Sequence, residues 1–288
     1  MTRDISQLIL GTQFLPPAFQ IVPRLLLLLD DSEEANSEKV AELIRVDPGL
    51  TADVLRVCNS AHFSGSYRAE TLVEAIMRLG LREVYRVVMN VITSPIMSSF
   101  STGHGREETN LWNHSLAVAT GAQALAADKG VNVELAFTTG LIHDIGKIVV
   151  TDAAKGDYGQ LIQEAAEKKR SVPSIEKEKF GMDHAEVGGR LLSRWNFSPN
   201  VIAAVRFHHN PIGAGEHKAL AAVVHTANLL AFHINQGSGH DSYVRYFDQH
   251  CLDILDVTPE ALEQQYAEQV KEGFLKELQF SLGIQGVS

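Results

Sequence analysis

The sequence predicts an all-α protein: a multi-helical body with an additional N-terminal helical module. Three observations carry this. Apolar residues recur at three- and four-residue spacing along most of the chain, as on one face of a helix. No stretch alternates apolar and polar residues in the manner of a half-buried strand. Prolines, glycines and small polar residues fall where helices start and stop. The 288 residues, 45% of them hydrophobic, suffice for one large or two ordinary domains with cores of their own.

The elements follow in order. Segment 16–31 opens on Pro16-Pro17, which a helix start tolerates, and aligns Phe19, Val22, Leu25, Leu26 and Leu29. Segment 36–46 starts at an Asn36/Ser37 cap and puts Val40, Leu43 and Ile44 on one face. Asp47-Pro48-Gly49 interrupts it, and 51–60 resumes with Val54, Leu55, Val57 and Cys58. Segment 71–79 carries Leu72, Ala75, Ile76 and Leu79, and Gly80 closes it. Segment 82–98 is long, apolar and punctuated by Pro95. The polar stretch Ser98–Arg106 reads as a linker. Further helices are expected at about 107–128, 132–150, 157–169, 183–195, 199–209, 217–235, 241–252 and 259–280. The chain thus divides near residue 100, into 1–100 and 101–288.

Composition excludes several classes. A net charge of −10 gives no general attraction to nucleic acid or to an anionic membrane. Two isolated cysteines, Cys58 and Cys251, make no disulfide framework and fit a reducing cytoplasm. The opening Met-Thr-Arg-Asp-Ile-Ser-Gln lacks the order of a secretory leader, so none is expected. The apolar run Leu25–Leu29 is far too short to span a bilayer. A soluble, cytoplasmic protein is the expectation.

The chemistry lies in the second half. His114, His143-Asp144, His184 and His208-His209 follow one another in an order that suits a metal site. Imidazole with carboxylate holds first-row transition metals, and such metals make water nucleophilic at neutral pH. A His-Asp dyad within the apolar run Ala136–Lys147 is costly unless paired or coordinated. Alone it is as readily an ordinary ion pair or cap. Each other histidine alone is more often a satisfied or exposed side chain than a ligand, but together they exceed coincidence. Asp144 could bridge two ions through its two oxygens. Lys147, four residues past His143, could hold a substrate phosphate. Gly146 would end or loosen the turn. Glu107 and Asn110 share a helical face with His114 and are weaker candidates, a solvated face being the plainer reading for Glu107. Asp183 and Glu186 flank His184, where an acidic helix start is the plainer reading.

The order His, His-Asp, His, His-His resembles the HD-domain superfamily of metal-dependent phosphohydrolases, in the branch with a two-metal site. The N-terminal half is more specific. Leu15-Pro16-Pro17-Ala18-Phe19, Leu43-Ile44-Arg45-Val46-Asp47-Pro48-Gly49-Leu50-Thr51, Val57-Cys58-Asn59-Ser60-Ala61-x-Phe63 and Ala75-Ile76-x-x-Leu79-Gly80 look like the HDOD family, the HD-related output domain of bacterial signalling proteins. The resemblance covers roughly 8–235, with the C-terminal helices beyond it. It implies an HD-type fold. Many HDOD proteins have lost the metal ligands; this chain keeps most of them. It departs at Asn228, where the superfamily's closing aspartate is expected. An amide oxygen is a weak, neutral ligand, and the site loses a negative charge. His225, on the same helix face, could substitute, or could simply pack and hydrogen-bond.

Three functions follow. The first is a metal-dependent phosphohydrolase or phosphodiesterase acting on a phosphoester or nucleotide. His114, His143, Asp144, His184, His208 and His209 would hold two ions that activate water, and Lys147 would balance phosphate charge. The second is a signalling module that binds metal, a phosphorylated ligand or a partner protein without turnover, which Asn228 favours. The third is a di-iron redox sensor or oxidase. Mostly imidazole donors with one carboxylate favour iron or manganese, with zinc, nickel or cobalt also admissible, over magnesium and calcium.

Overall fold

A computed structural model describes residues 5–10, 17–30, 36–60, 63, 68–98, 100, 111–155, 158–236 and 247–285. Among these residues no strand occurs, so the all-α expectation holds. The first elements are α1 (Ile5–Leu10), a 3-10 turn (Pro17–Ile21) leading into α2 (Val22–Asp30), α3 (Ser37–Arg45), α4 (Pro48–Cys58), α5 (Leu72–Leu79) and α6 (Leu81–Ser98). Next come α7 (Leu111–Lys129), α8 (Val133–Ile142), α9 (Gly146–Ala153), α10 (Tyr158–Lys168) and α11 (Val172–Phe180). Then follow α12 (His184–Arg194), α13 (Pro199–Arg206), a 3-10 segment (Pro211–His217) and α14 (Lys218–His233). The last are α15 (Gln249–Leu255), α16 (Pro259–Ala261), a π-helical turn (Leu262–Tyr266) and α17 (Ala267–Gln285). Leu15, Pro16, Ala61, Glu107, Asn110, most of the expected linker and the start of the expected 241–252 helix lie outside the described residues.

The chain divides into two compact units. One comprises Met1–Gln13 and Met97–Glu277, the other Phe14–Ile96 and Leu278–Ser288. In the smaller unit, α3, α4 and α5 pack on one another and α2 packs on α3. Phe19, Val22, Ile44, Val54, Val57, Ala75 and Ile76 form its core. The caps follow the sequence. Asn36 accepts from the Lys39 N–H at 2.8 Å, and Asp47 accepts from the Leu50 N–H at 3.0 Å. Thr71 and Glu74 make a reciprocal capping box, and Gly80 takes the positive φ of 79° that ends α5. Asn59 clamps a loop by donating to the Ala69 carbonyl and accepting from its N–H, at 2.9 and 2.8 Å.

In the larger unit, α7 and α14 are the inner helices. Apolar residues on every side of α14 are fully buried, including Ala221, Val223, Val224, Ala227 and Leu230. Helix α14 packs against α7, α8, α13 and α15, while α12 packs against α9, α11 and α13. Small residues set the spacing. A Cβ on Gly140 of α8 would stand 2.9 Å from the Ala119 Cα of α7.

Two differences from the expected elements bear on function. The single helix expected at 132–150 is two, α8 and α9, joined by a turn at His143–Ile145. Residue-to-residue bonds there shorten to the i→i−3 kind: Ile145 N–H to Ile142 O at 3.0 Å and Lys147 N–H to Asp144 O at 2.9 Å. Gly146 stands directly after this turn and begins α9. A Cβ there would lie 2.0 Å from the His184 carbonyl oxygen and 2.7 Å from the Gly188 nitrogen, so α9 meets the backbone of α12 at van der Waals limit. Gly146 is thus a contact point between helices as well as the end of the turn. The second difference is α11, which was not expected. Pro173 starts it and its charged run, Glu176–Lys179, hides a buried face of Val172, Ile175 and Glu176.

Gly146→Ala is therefore expected to force α9 and α12 apart, at a cost of about 2–3 kcal/mol for overpacking. Thermal denaturation should show a midpoint lowered by roughly 5–10 °C. Gly283→Ala, where a Cβ meets nothing within 4 Å, should leave the midpoint unchanged.

Candidate metal centre

Five histidines in and beside the cluster carry the same local device. Each ring is fixed through Nδ1 to an oxygen that can only accept a hydrogen bond. His114 on α7 donates to the Gln236 carbonyl at 2.7 Å, and His143, just past α8, to the Gly140 carbonyl at 2.7 Å. His184 at the start of α12 donates to the Glu176 carboxylate at 2.7 Å. His208, just past α13, donates to the Val205 carbonyl at 2.7 Å, and His225 on α14 to the His208 carbonyl at 2.8 Å. In any of these rings that is neutral, an acceptor-only partner puts the hydrogen on Nδ1 and leaves Nε2 as the bare atom. Such outward anchoring is the arrangement that orients imidazole toward a metal.

The free ends converge on Asp144. Its Oδ2 lies 3.5 Å from His114 Nε2 and 3.3 Å from His143 Nε2, and accepts from Lys147 Nζ at 2.6 Å. Its Oδ1 lies 3.3 Å from His184 Nε2 and 3.8 Å from His208 Nε2. His209 Nε2 sits 2.9 Å from His184 Nε2. Two sets of donor atoms result, each within 4.8 Å internally: His114, His143 and Asp144, and His184, His208 and His209. The Nε2 atoms of His114, His143 and His208 are buried with no hydrogen-bond partner. Leaving buried polar atoms unpaired costs about 1–3 kcal/mol each. A cation in each set would satisfy them, so the donor sets fit metal.

The electrostatics follow from burial and from the two carboxylates. Burial holds His114 neutral, down to about 3, against the pull of Asp144. Burial likewise lowers His208, His209 and His225. For His184 burial is outweighed by Glu176 and Asp144, and the ring is pushed up to about 10. A protonated His184 then donates to both Glu176 and His209, which accounts for the short N···N contact. Asp144 is held well below the usual carboxylate range, its own burial being overcome by His143 and Lys147.

Every residue of the expected ligand set, with Lys147, is thus brought together. His225 and Asn228 are not among the converging donors. His225 packs under His208 and holds its carbonyl, and its Nε2 is buried without a partner, as is the Asn228 Oδ1. Asp183 caps α12 by accepting from the Glu186 N–H at 2.8 Å, and Glu186 pairs with Arg190 and Arg206. Glu107 and Asn110 lie outside the described residues. The sequence reading missed Glu176 and Tyr158. Glu176 is fully buried, accepts from both the backbone and the ring of His184, and takes the Tyr158 hydroxyl proton on its other oxygen. The available signal was an acidic residue beside Val172 and Ile175 on an apolar face, eight residues before His184.

An all-helical unit holding a buried His/Asp cluster of this order defines an HD-type protein. More narrowly, the chain belongs to the HDOD family: a family model for the HDOD domain matches residues 15–211. The chain is 31% identical over 209 residues to a Treponema pallidum protein, covering 69% of this chain and 39% of that one. It is 24% identical over 209 residues to Ribonuclease Y of Petrotoga mobilis, covering 73% of this chain and 32% of the enzyme. It therefore spans about two fifths or less of these relatives' length. Its fold is similar to that of a Shewanella amazonensis protein provisionally described as a phosphohydrolase, with a TM-score of 0.69, 23% identity and 98% of both chains covered. Among the described residues no helix is long and apolar enough to cross a membrane.

The histidines set a pH window for the metal-free chain. His114 is depressed on folding, so its contribution is present above about 6.5 and is lost as pH falls toward about 3. His184 is raised, so its contribution is present below about 6.5 and is lost as pH rises through about 10. Urea midpoints measured in chelator from pH 4 to 10 should peak near neutrality and fall on both sides. In His184→Asn the alkaline decline should flatten.

Proposed function

We propose that this HDOD protein holds two divalent transition-metal ions, iron or manganese by preference, and hydrolyses a phosphoester or nucleotide. His114, His143 and Asp144 would hold one ion; Asp144, His184, His208 and His209 would hold the other. The reading is supported above all by the three buried, unpartnered Nε2 atoms around Asp144. Bound divalent ions supply a water acidic enough to ionise near neutrality and neutralise charge on phosphate.

The chain's own groups then have separable tasks. The main-chain carbonyls of Gln236, Gly140 and Val205 fix three rings so that little ordering is left to binding. Asp144 presents one oxygen to each donor set. Lys147, now on Asp144 Oδ2, is the cation available to a phosphate oxygen entering the site. The names of the Shewanella and Petrotoga proteins point the same way, toward phosphoester chemistry.

A second reading is favoured by one observation. At Asn228 a neutral amide stands in place of the expected carboxylate, and its Oδ1 is buried and unpartnered. The protein would then bind metal or a phosphorylated ligand as a signalling module, without turnover.

The test begins with metal content after purification without added metal or a histidine tag. Protein loaded with Mn²⁺ or Fe²⁺ is then assayed on phosphomonoesters, nucleotides, cyclic dinucleotides and single-stranded RNA. Turnover of one class is expected. Asp144→Ala should lower kcat/KM by about 1,000-fold or more, and Lys147→Met by about 10–100-fold. Inactivity of fully loaded protein on the whole panel would leave the non-catalytic reading.

A further inference from the structure

We infer that the two donor sets are unequal by construction: the His184, His208 and His209 set takes the first ion tightly, and the His114 and His143 set takes a second ion at least tenfold more weakly. The inference rests on the metal reading above and deepens it. It comes from how charge is distributed around one carboxylate.

The set with His184 offers three imidazoles and Asp144 Oδ1. Behind His184 stands Glu176, a fully buried carboxylate that accepts from its Nδ1 and from its backbone N–H. A carboxylate behind an imidazole raises its donor strength and adds negative charge next to the ion. Tyr158 donates to the other oxygen of Glu176, fixing the carboxylate in place.

The set with His114 offers two imidazoles and Asp144 Oδ2. Neutral carbonyls, not carboxylates, stand behind both rings. The carboxylate oxygen it would use is already engaged by Lys147 Nζ at 2.6 Å, and that ammonium is itself buried. A buried cation beside this set of donors repels a divalent ion through a poorly screening medium. Asn228 contributes no charge that would offset it. Lys147 thus acts as an occupant of the second position's electrostatic space, and Glu176 as a positioning residue for the first.

The experiment is equilibrium titration of the metal-free protein with Mn²⁺, counting free ion by electron paramagnetic resonance. One tight equivalent and one weak equivalent are expected. His208→Ala should abolish the tight equivalent, and His114→Ala only the weak one. Glu176→Gln should weaken the tight equivalent by about 10–100-fold, and Lys147→Met should strengthen the weak one by tenfold or more. Circular dichroism melts of each variant identify any that fail to fold; the two histidine variants carry the test if Glu176→Gln is one of these. Two equivalents of equal affinity, or tight binding lost in His114→Ala and kept in His208→Ala, would overturn the inference while leaving the metal reading intact. No binding of Mn²⁺ by the native chain would overturn both.

Discussion

The larger unit is organised around one buried carboxylate. Asp144 is almost fully inaccessible, and an ionised carboxylate in such a place must be compensated. Lys147 supplies the compensating charge at 2.6 Å, and four imidazoles border the two oxygens. Those imidazoles come from α7, the α8–α9 turn, α12 and the end of α13. Helices distant in sequence are therefore tied to one atom group. The dependence runs both ways: packing at Gly140 and Gly146 brings α8 against α7 and α9 against α12, and only then do the rings reach Asp144.

The ring anchors show how precision is obtained from main chain. Two carbonyls near helix ends, at Gly140 and Val205, would otherwise be orphaned acceptors, and a third, at Gln236, lies three residues past α14. Each takes a histidine Nδ1–H. The same bond satisfies the helix end and selects the tautomer that turns Nε2 inward. His225 adds a second layer by donating to the His208 carbonyl, so α14 supports His208 from behind. Helix termination and site construction are here a single set of hydrogen bonds.

Much of this was legible in the sequence, for reasons that can be named. Spacing of apolar residues revealed most helices, and Asn36 announced its cap because side-chain capping is local, whereas Asp47, read as a break, is the N-cap of α4. That His114, His143, Asp144, His184, His208 and His209 belong together was legible because His-Asp and His-His pairs stand out in an apolar sequence. What was not legible depends on contacts between distant segments. Gly146 hinted at a weakened turn after His143, but the close approach of the α12 backbone to it is a contact between distant segments that the run Ala136–Lys147 does not show. Helix α11 was hidden by its charged run, and with it Glu176, whose importance exists only once His184 is placed beside it.

Asn228 and Lys147 bear on the same question from opposite sides. Without metal, the centre holds two carboxylates, Asp144 and Glu176, set against the ammonium of Lys147 and a protonated His184. That is already near neutrality, which lets so polar a cluster remain buried. Binding a divalent ion at His184 displaces its proton, so one positive charge is exchanged for two. A second ion, between His114 and His143, would add two more positive charges. An aspartate at position 228 would add a negative charge to the unit; an asparagine does not. The substitution thus acts through the charge balance of the centre rather than through a lost bond alone.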